Sequence, residues 1–376
     1  MQTLLPILMF SLLFSYLTER TTVGEYGTGQ YQTSLNKLFF FLLLCTLALP
    51  VGLRTSYNDT WTYIKSFSNF EPVGVLVKSN AFHILRNPAF TLYCSLLRSV
   101  TSNYHIFLMI PAFFVQYSFV RFIRRYSPSF TVGVGIYILL GTYVLSFAAI
   151  KQTIAMAVLL FAIPELLEKN YAKFYMLVFI AFLFHTYAIA FLVLPLFVSR
   201  PWNMRTVLFL SLMAFVMLNF ETVITSFLEA ADESGKTIAE YEVFDGTTIN
   251  TLRVAVYAVT PAMSLIFQRY LFRSSKNKQY QLFVNMSIIS VAIMSLGTIS
   301  GANMFGRMAQ YFEFGMICGL PWIIKKVFEP RSAKLVTGIA LVLFFVYFYY
   351  AYQINMVFDD HYRAVTIFEF IISLFS

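Results

Sequence analysis

The sequence predicts an all-α polytopic integral membrane protein with roughly 11–13 transmembrane segments, some short or broken. Three observations carry that reading. Of 376 residues, 59% are hydrophobic and only 12% charged, where a soluble domain carries about 25%. Apolar stretches of roughly 17 residues or more recur along the whole length, and nothing between them is long enough for a soluble domain. The stretches run continuously apolar rather than alternating, which excludes a β-barrel.

Hydropathy places spans near 4–18, 37–53, 103–120, 131–149, 152–167, 206–228, 251–271, 281–299, 305–324 and 335–356. The first lacks the basic n-region and small-residue cleavage site of a signal peptide, so it is expected to stay as a helix. Segment 54–102 is too long for a simple link and is broken at Pro72, Gly74 and Pro88. It reads as an extracytoplasmic loop carrying interfacial or re-entrant helices. For 364–376 both a crossing and an interfacial helix stay open. With no tandem repeat, 1–376 is taken as a single transmembrane domain.

The net charge of +9 does not indicate nucleic acid, because the cations sit in short loops between apolar runs, where the positive-inside rule expects them. That rule assigns Arg20, Lys37, Arg121, Arg124 and Arg125 to the cytoplasmic side. Arg54 and the loop after it then fall outside, as does the tip carrying Lys151 and Gln152. A single crossing by the apolar block 174–198 would put the basic loop 269–278 outside and the acidic loop 229–245 inside, against the rule. Two short crossings, broken at His185-Thr186, restore the alternation. Each would be about twelve residues, or ~18 Å, and so would need a thinned or water-filled site. By this count Arg54, Asp59, Lys151, His185 and Arg307 all lie on or near the outer face, which predicts one outward-facing cationic cavity.

Each candidate has a plainer alternative. Arg54 suits a phosphate because its planar fork binds two oxygens, with Asp59 orienting a sugar hydroxyl or taking its proton; the two could instead simply pair with each other. Tyr57, Trp61 and Tyr63 offer rings for a sugar, or serve as interface anchors. Lys151 and Gln152 open a helix, where free N–H groups favour an anion; a snorkelling lysine is the alternative. His185 stands alone in an apolar run; an unperturbed imidazole titrates near neutral pH, which suits proton transfer, whereas a lone histidine is more often structural. Arg307 and Tyr311 lie one turn apart on one helical face, with Gly306 leaving room for close approach; the alternative is a pair with Glu313, six residues on and on a poorly matched face. Cys45, Cys94 and Cys318 are scattered in apolar surroundings, without disulfide or zinc spacing. Asp359-Asp360-His361 comes nearest to a metal cluster, and neither a metal nor a cofactor is expected. Gly315 and Gly319 form a small-xxx-small helix contact.

Four stretches together resemble the EpsG-type membrane proteins of bacterial exopolysaccharide operons, relatives of the Wzy polysaccharide polymerases: 53–63, 150–155, 181–186 and 307–312. Two departures are visible, since Lys151 replaces the usual Arg and Asn58 stands where glycine is common. The resemblance implies a GT-C-like, metal-independent glycosyltransferase in the bacterial cytoplasmic membrane, its site facing outward. It would extend an exopolysaccharide or capsule from undecaprenyl-diphosphate-linked oligosaccharide repeat units. A flippase and a chain-length regulator of the same pathway would be its partners. On that basis Arg54, Lys151 and Arg307 would hold the diphosphate, and His185 or Asp59 would be the base. Tyr57, Trp61, Tyr63, Gln152 and Tyr311 would contact substrate. A lipid-linked saccharide flippase, an O-antigen-ligase-like transferase, a sugar O-acetyltransferase and a purely structural membrane protein are the competing readings.

Overall fold

The computed structural model describes residues 1–22, 34–78, 87–223, 225–226, 246–273 and 277–375. The expected acidic loop 229–245, residues 79–86 of the 54–102 segment and residues 274–276 of the basic loop lie outside these residues. The described chain is helical almost throughout. Five helices are long and apolar enough to cross a membrane: Leu35–Gly52, Tyr104–Tyr126, Ile150–Leu167, Lys278–Leu296 and Pro330–Asn355. A bent pair, Phe130–Leu139 and Thr142–Ala148, makes a sixth if counted as one span. This is fewer than the 11–13 expected. Apolar runs at Tyr171–Phe184, Thr186–Phe197, Met204–Leu218 and Thr251–Ile266 form helices of 12 to 16 residues. At 1.5 Å per residue they fall short of a ~30 Å hydrocarbon core.

By contacts the chain forms two compact units, Met1–Ile189 with Thr337–Ser376, and Ala190–Val336. In the first, α1 (Leu4–Arg20) packs on α2 (Ser34–Gly52), and α2 on the long α6 (Tyr104–Tyr126). Between them the chain forms β1 (Arg54–Ser56), α3 (Thr60–Asn69), α4 (Val73–Lys78) and α5 (Pro88–Arg98), the short helices expected of 54–102. The bent pair, α7 (Phe130–Leu139) and α8 (Thr142–Ala148), turns by 51° at Gly141. Its φ of +87° lies in the left-handed region, and a Cβ there would fall 1.8 Å from the Tyr352 hydroxyl, so only glycine fits. Helix α9 (Ile150–Leu167) packs on both α6 and α10 (Tyr171–Phe184).

The second unit contains α11 (Met204–Leu218), α12 (Thr251–Ile266), α13 (Gln268–Leu271), α14 (Lys278–Leu296), α15 (Ala302–Gln310) and α16 (Phe314–Val327). Helix α14 touches α11, α12, α15 and α16. The expected small-residue contact is realised at Gly315, where a Cβ would lie 2.5 Å from the Phe283 carbonyl oxygen. The expected span 305–324 is split between α15 and α16 by a turn at 311–313.

Helix α17 (Pro330–Tyr349) leads back into the first unit. A π-turn at Tyr350–Asn355 and α18 (Phe358–His361) follow, then β2 (Arg363–Ala364) and α19 (Ile367–Ser373). Strand β2 pairs antiparallel with β1, and this pair is the sheet of the described residues.

Candidate functional site

The last carbonyls of a helix have no intrahelical donor, and the end of α2 shows where such groups go. The Leu49 carbonyl accepts from the Leu53 N–H at 2.8 Å, the Pro50 carbonyl from the Tyr362 hydroxyl at 2.9 Å, and the Val51 carbonyl from Arg54 Nη1. Gly52 admits α6 closely, since a Cβ there would meet Met109 Sδ at 2.4 Å. Arg54 is only 1% exposed. Its Nε donates to Thr60 Oγ1 at 3.1 Å, and that hydroxyl donates to the Tyr57 carbonyl at 2.6 Å. Nη2 has no hydrogen-bond partner among the described residues. Burial pulls the guanidinium down to about 10, against the charges of nearby Tyr63 and Tyr362.

The guanidinium borders a small pocket of about 210 Å³ including its open mouth, wide enough inside for little more than one water. Val51, Leu108, Pro111, Ala112, Val115, Ser146, Ile150 and Thr153 complete its lining, and among the described residues no carboxylate belongs to it. Ser146 accepts from Gln116 Nε2 at 3.0 Å, and Gln116 Oε1 accepts from the Tyr137 hydroxyl at 2.7 Å. The pocket thus combines a fixed cation, two hydroxyls and an apolar wall.

Asn58 turns the chain from β1 into α3 with φ +45°, a left-handed conformation that asparagine tolerates better than most residues. That accounts for an asparagine at a position where glycine is common. Asp59 follows as the half-exposed cap residue of α3, makes no side-chain cap and forms no ion pair with Arg54. The rim salt bridge considered from sequence is therefore not formed. Trp61 is 70% exposed, whereas Tyr57 is buried between Phe358 at 4.7 Å and Phe147 at 6.0 Å. Tyr63 meets Phe90 edge-on at 6.0 Å, and Lys151 Nζ lies 5.0 Å over the same Phe90 ring. Tyr63 and Phe90 therefore connect the surroundings of Arg54 to those of Lys151. Gln152 is buried one residue later on α9, and Thr153 reaches the pocket.

Helix α10 ends where expected. His185 is its C-cap with extended backbone, half-buried, and its ring meets Tyr187 edge-on at 5.1 Å; a 3₁₀ helix, Thr186–Phe197, follows. Arg307 and Tyr311 belong to the second unit. Arg307 is half-buried on α15, and Tyr311 is buried in the turn after it. Gly306 stands beside Arg253, whose Nη1 would be 3.8 Å from a Cβ there; Arg253 in turn lies 5.7 Å over the Tyr257 ring, whose hydroxyl donates to the buried Glu313.

Several of these groups escape a reading of sequence. Gln116 carries the signal that singled out His185, a lone polar residue in an apolar run. Thr60, Phe90 and Tyr362 carry none, because their importance comes from contacts between remote segments. Asp359 was considered as a metal ligand, but its carboxylate accepts from the N–H groups of Gln2 and Thr3 at 2.8 and 3.0 Å, at the start of α1.

No curated protein and no solved structure matches the chain. A model of the EpsG family matches residues 37–367, which takes in the Arg54 loop, the Lys151 helix start, the His185 break and the Arg307 helix. A match over that much of the sequence shows that the chain belongs to the EpsG family.

Proposed function

We propose that this multi-pass membrane protein is a polysaccharide polymerase, a glycosyltransferase that joins undecaprenyl-diphosphate-linked oligosaccharide repeat units at the outer face of the bacterial cytoplasmic membrane. Family membership suggests the polymerase. The observation that carries the chemistry is Arg54, a buried guanidinium with an unpartnered Nη2 beside a pocket free of carboxylates. A buried charge without a counter-ion is costly, so such a site favours an anionic ligand.

In this reading an acceptor hydroxyl attacks the anomeric carbon of the donor sugar. The bond to the lipid diphosphate breaks, and the hydroxyl proton passes to His185 or Asp59. Arg54 and Lys151 meet the charge growing on the departing diphosphate, typically the largest catalytic contribution in such a site. Trp61 and Tyr63 offer rings to the sugars, while Tyr57 and Gln152 support the site from buried positions.

The test is a reaction of the purified protein, in lipid nanodiscs, with a defined lipid-linked oligosaccharide. Extended polymer is expected, and it should persist in EDTA. One transfer per acceptor would replace this reading with a ligase, and transbilayer movement without new glycosidic bonds would replace it with a flippase.

A further inference from the structure

Two side chains compete for the end of α2. The Pro50 and Val51 carbonyls are neighbours; Tyr362 holds the first, and Arg54 holds the second. Tyr362 is itself fixed. Its ring stacks on Phe358 at 5.2 Å and meets Phe147 edge-on at 5.5 Å, and Phe358 packs on Tyr57 at 4.7 Å. The strand after it pairs Arg54 with Ala364, and the Val365 N–H donates to the Leu53 carbonyl at 3.0 Å. Asp359 ties the same segment to α1. Residues 358–365 therefore form a strap across the Arg54 loop.

A guanidinium carries five N–H donors and readily takes two adjacent carbonyls at a helix end. Were the Pro50 carbonyl vacant, Nη2 would be the donor free to reach it. We propose that Tyr362 is a positioning residue for Arg54: by occupying the Pro50 carbonyl it confines the guanidinium to Val51 and Thr60 and leaves Nη2 without a protein partner in the residue that lines the pocket. The C-terminal strap is then a working part of the anion site, and its bearing on catalysis rests on the function proposed above.

The inference is tested on the full chain in nanodiscs by reacting arginines with phenylglyoxal and reading Arg54 and Arg98 by peptide mass spectrometry. In Tyr362→Phe the ring stays but the hydroxyl goes, Arg54 takes both carbonyls, and its modification should slow by about fivefold, the equilibrium worth of one hydrogen bond. Arg98, outside the strap, should be unchanged. Faster modification of Arg54 would show a strap that merely holds the loop closed, and would overturn the proposal. An unchanged rate, or equal changes at Arg54 and Arg98, would do the same. Inorganic pyrophosphate separates the two readings. If it fails to protect Arg54 in the unmodified protein while Tyr362→Phe still slows the reaction, the proposed function fails and the positioning role stands.

Discussion

Arg54 and Glu313 are both 1% exposed, one in each unit, and they are buried in opposite ways. Glu313 sits in the turn between α15 and α16 and accepts from the Tyr257 hydroxyl, with Arg253 stacked on that same ring. Its charge is built into the packing of the second unit. Arg54 has two of its nitrogens held by neutral oxygens and the third without a partner among the described residues, and the residue lines a small pocket. A satisfied buried charge specifies a fold, whereas one left partly unsatisfied points to a ligand.

Substitutions at the two sites should therefore fail differently. The largest effect is expected at Arg54. Arg54→Ala should cut polymer formation by about a hundredfold or more, the scale of losing one preorganised charge partner, while Arg54→Lys keeps the charge but not the fork and retains part of the activity. Full-length polymer from Arg54→Ala in the nanodisc reaction would break the comparison at its first term. At the second site, Tyr257→Phe should lower thermal stability by about 1–3 kcal/mol by removing a donor from a buried carboxylate. Activity per folded molecule should stay near normal. A melting curve that does not move would mean that Glu313 is held by other groups.

The sequence shows one term of this comparison better than the other. Arg54, Lys151 and the break at His185 are legible because charge in an apolar chain is rare, and loop parity assigns each a side of the membrane. The crowding of Tyr63, Phe90 and Lys151 is not, because 61 residues separate Phe90 from Lys151 and no period connects them. Glu313 carries no comparable mark, since nothing in 305–324 signals the turn that presents it to Tyr257. The bounds of the apolar segments were legible only in part, for a related reason. Hydropathy registers how apolar a run is, but not where Gly141 or residues 311–313 divide it.

A carboxylate of the strap sharpens the contrast, because Asp359 is engaged by the start of the chain. Burial pushes its carboxyl up, but hydrogen bonds from the terminal amine, Thr3 and Gln2 outweigh this and hold it below the ordinary 3.8. A lowered folded value means that the interaction is complete above the unfolded value and is lost as pH falls through the folded one. Asp359→Asn should cost about 0.5 kcal/mol at neutral pH, a charge lost at a helix N-terminus, and should flatten the decline in melting temperature below about pH 4. An unaltered acid-side profile would remove Asp359 from the strap.

The smallest effect separates the shape of the Arg54 loop from its charge. Asn58 holds φ at +45° between β1 and α3, so the turn that delivers Thr60 to Arg54 depends on a left-handed residue. Glycine reaches that conformation without strain, though it adds freedom to the unfolded chain, and these effects nearly cancel. Asn58→Gly should leave stability within about 0.5 kcal/mol and polymer formation unchanged. A β-branched residue cannot share the tolerance. Asn58→Val should destabilise by about 1–2 kcal/mol and weaken pyrophosphate protection of Arg54, because the turn must open to relieve the side chain. Equal behaviour of the glycine and valine variants would show that the left-handed turn does not position Thr60, leaving Val51 as the anchor that orients the guanidinium.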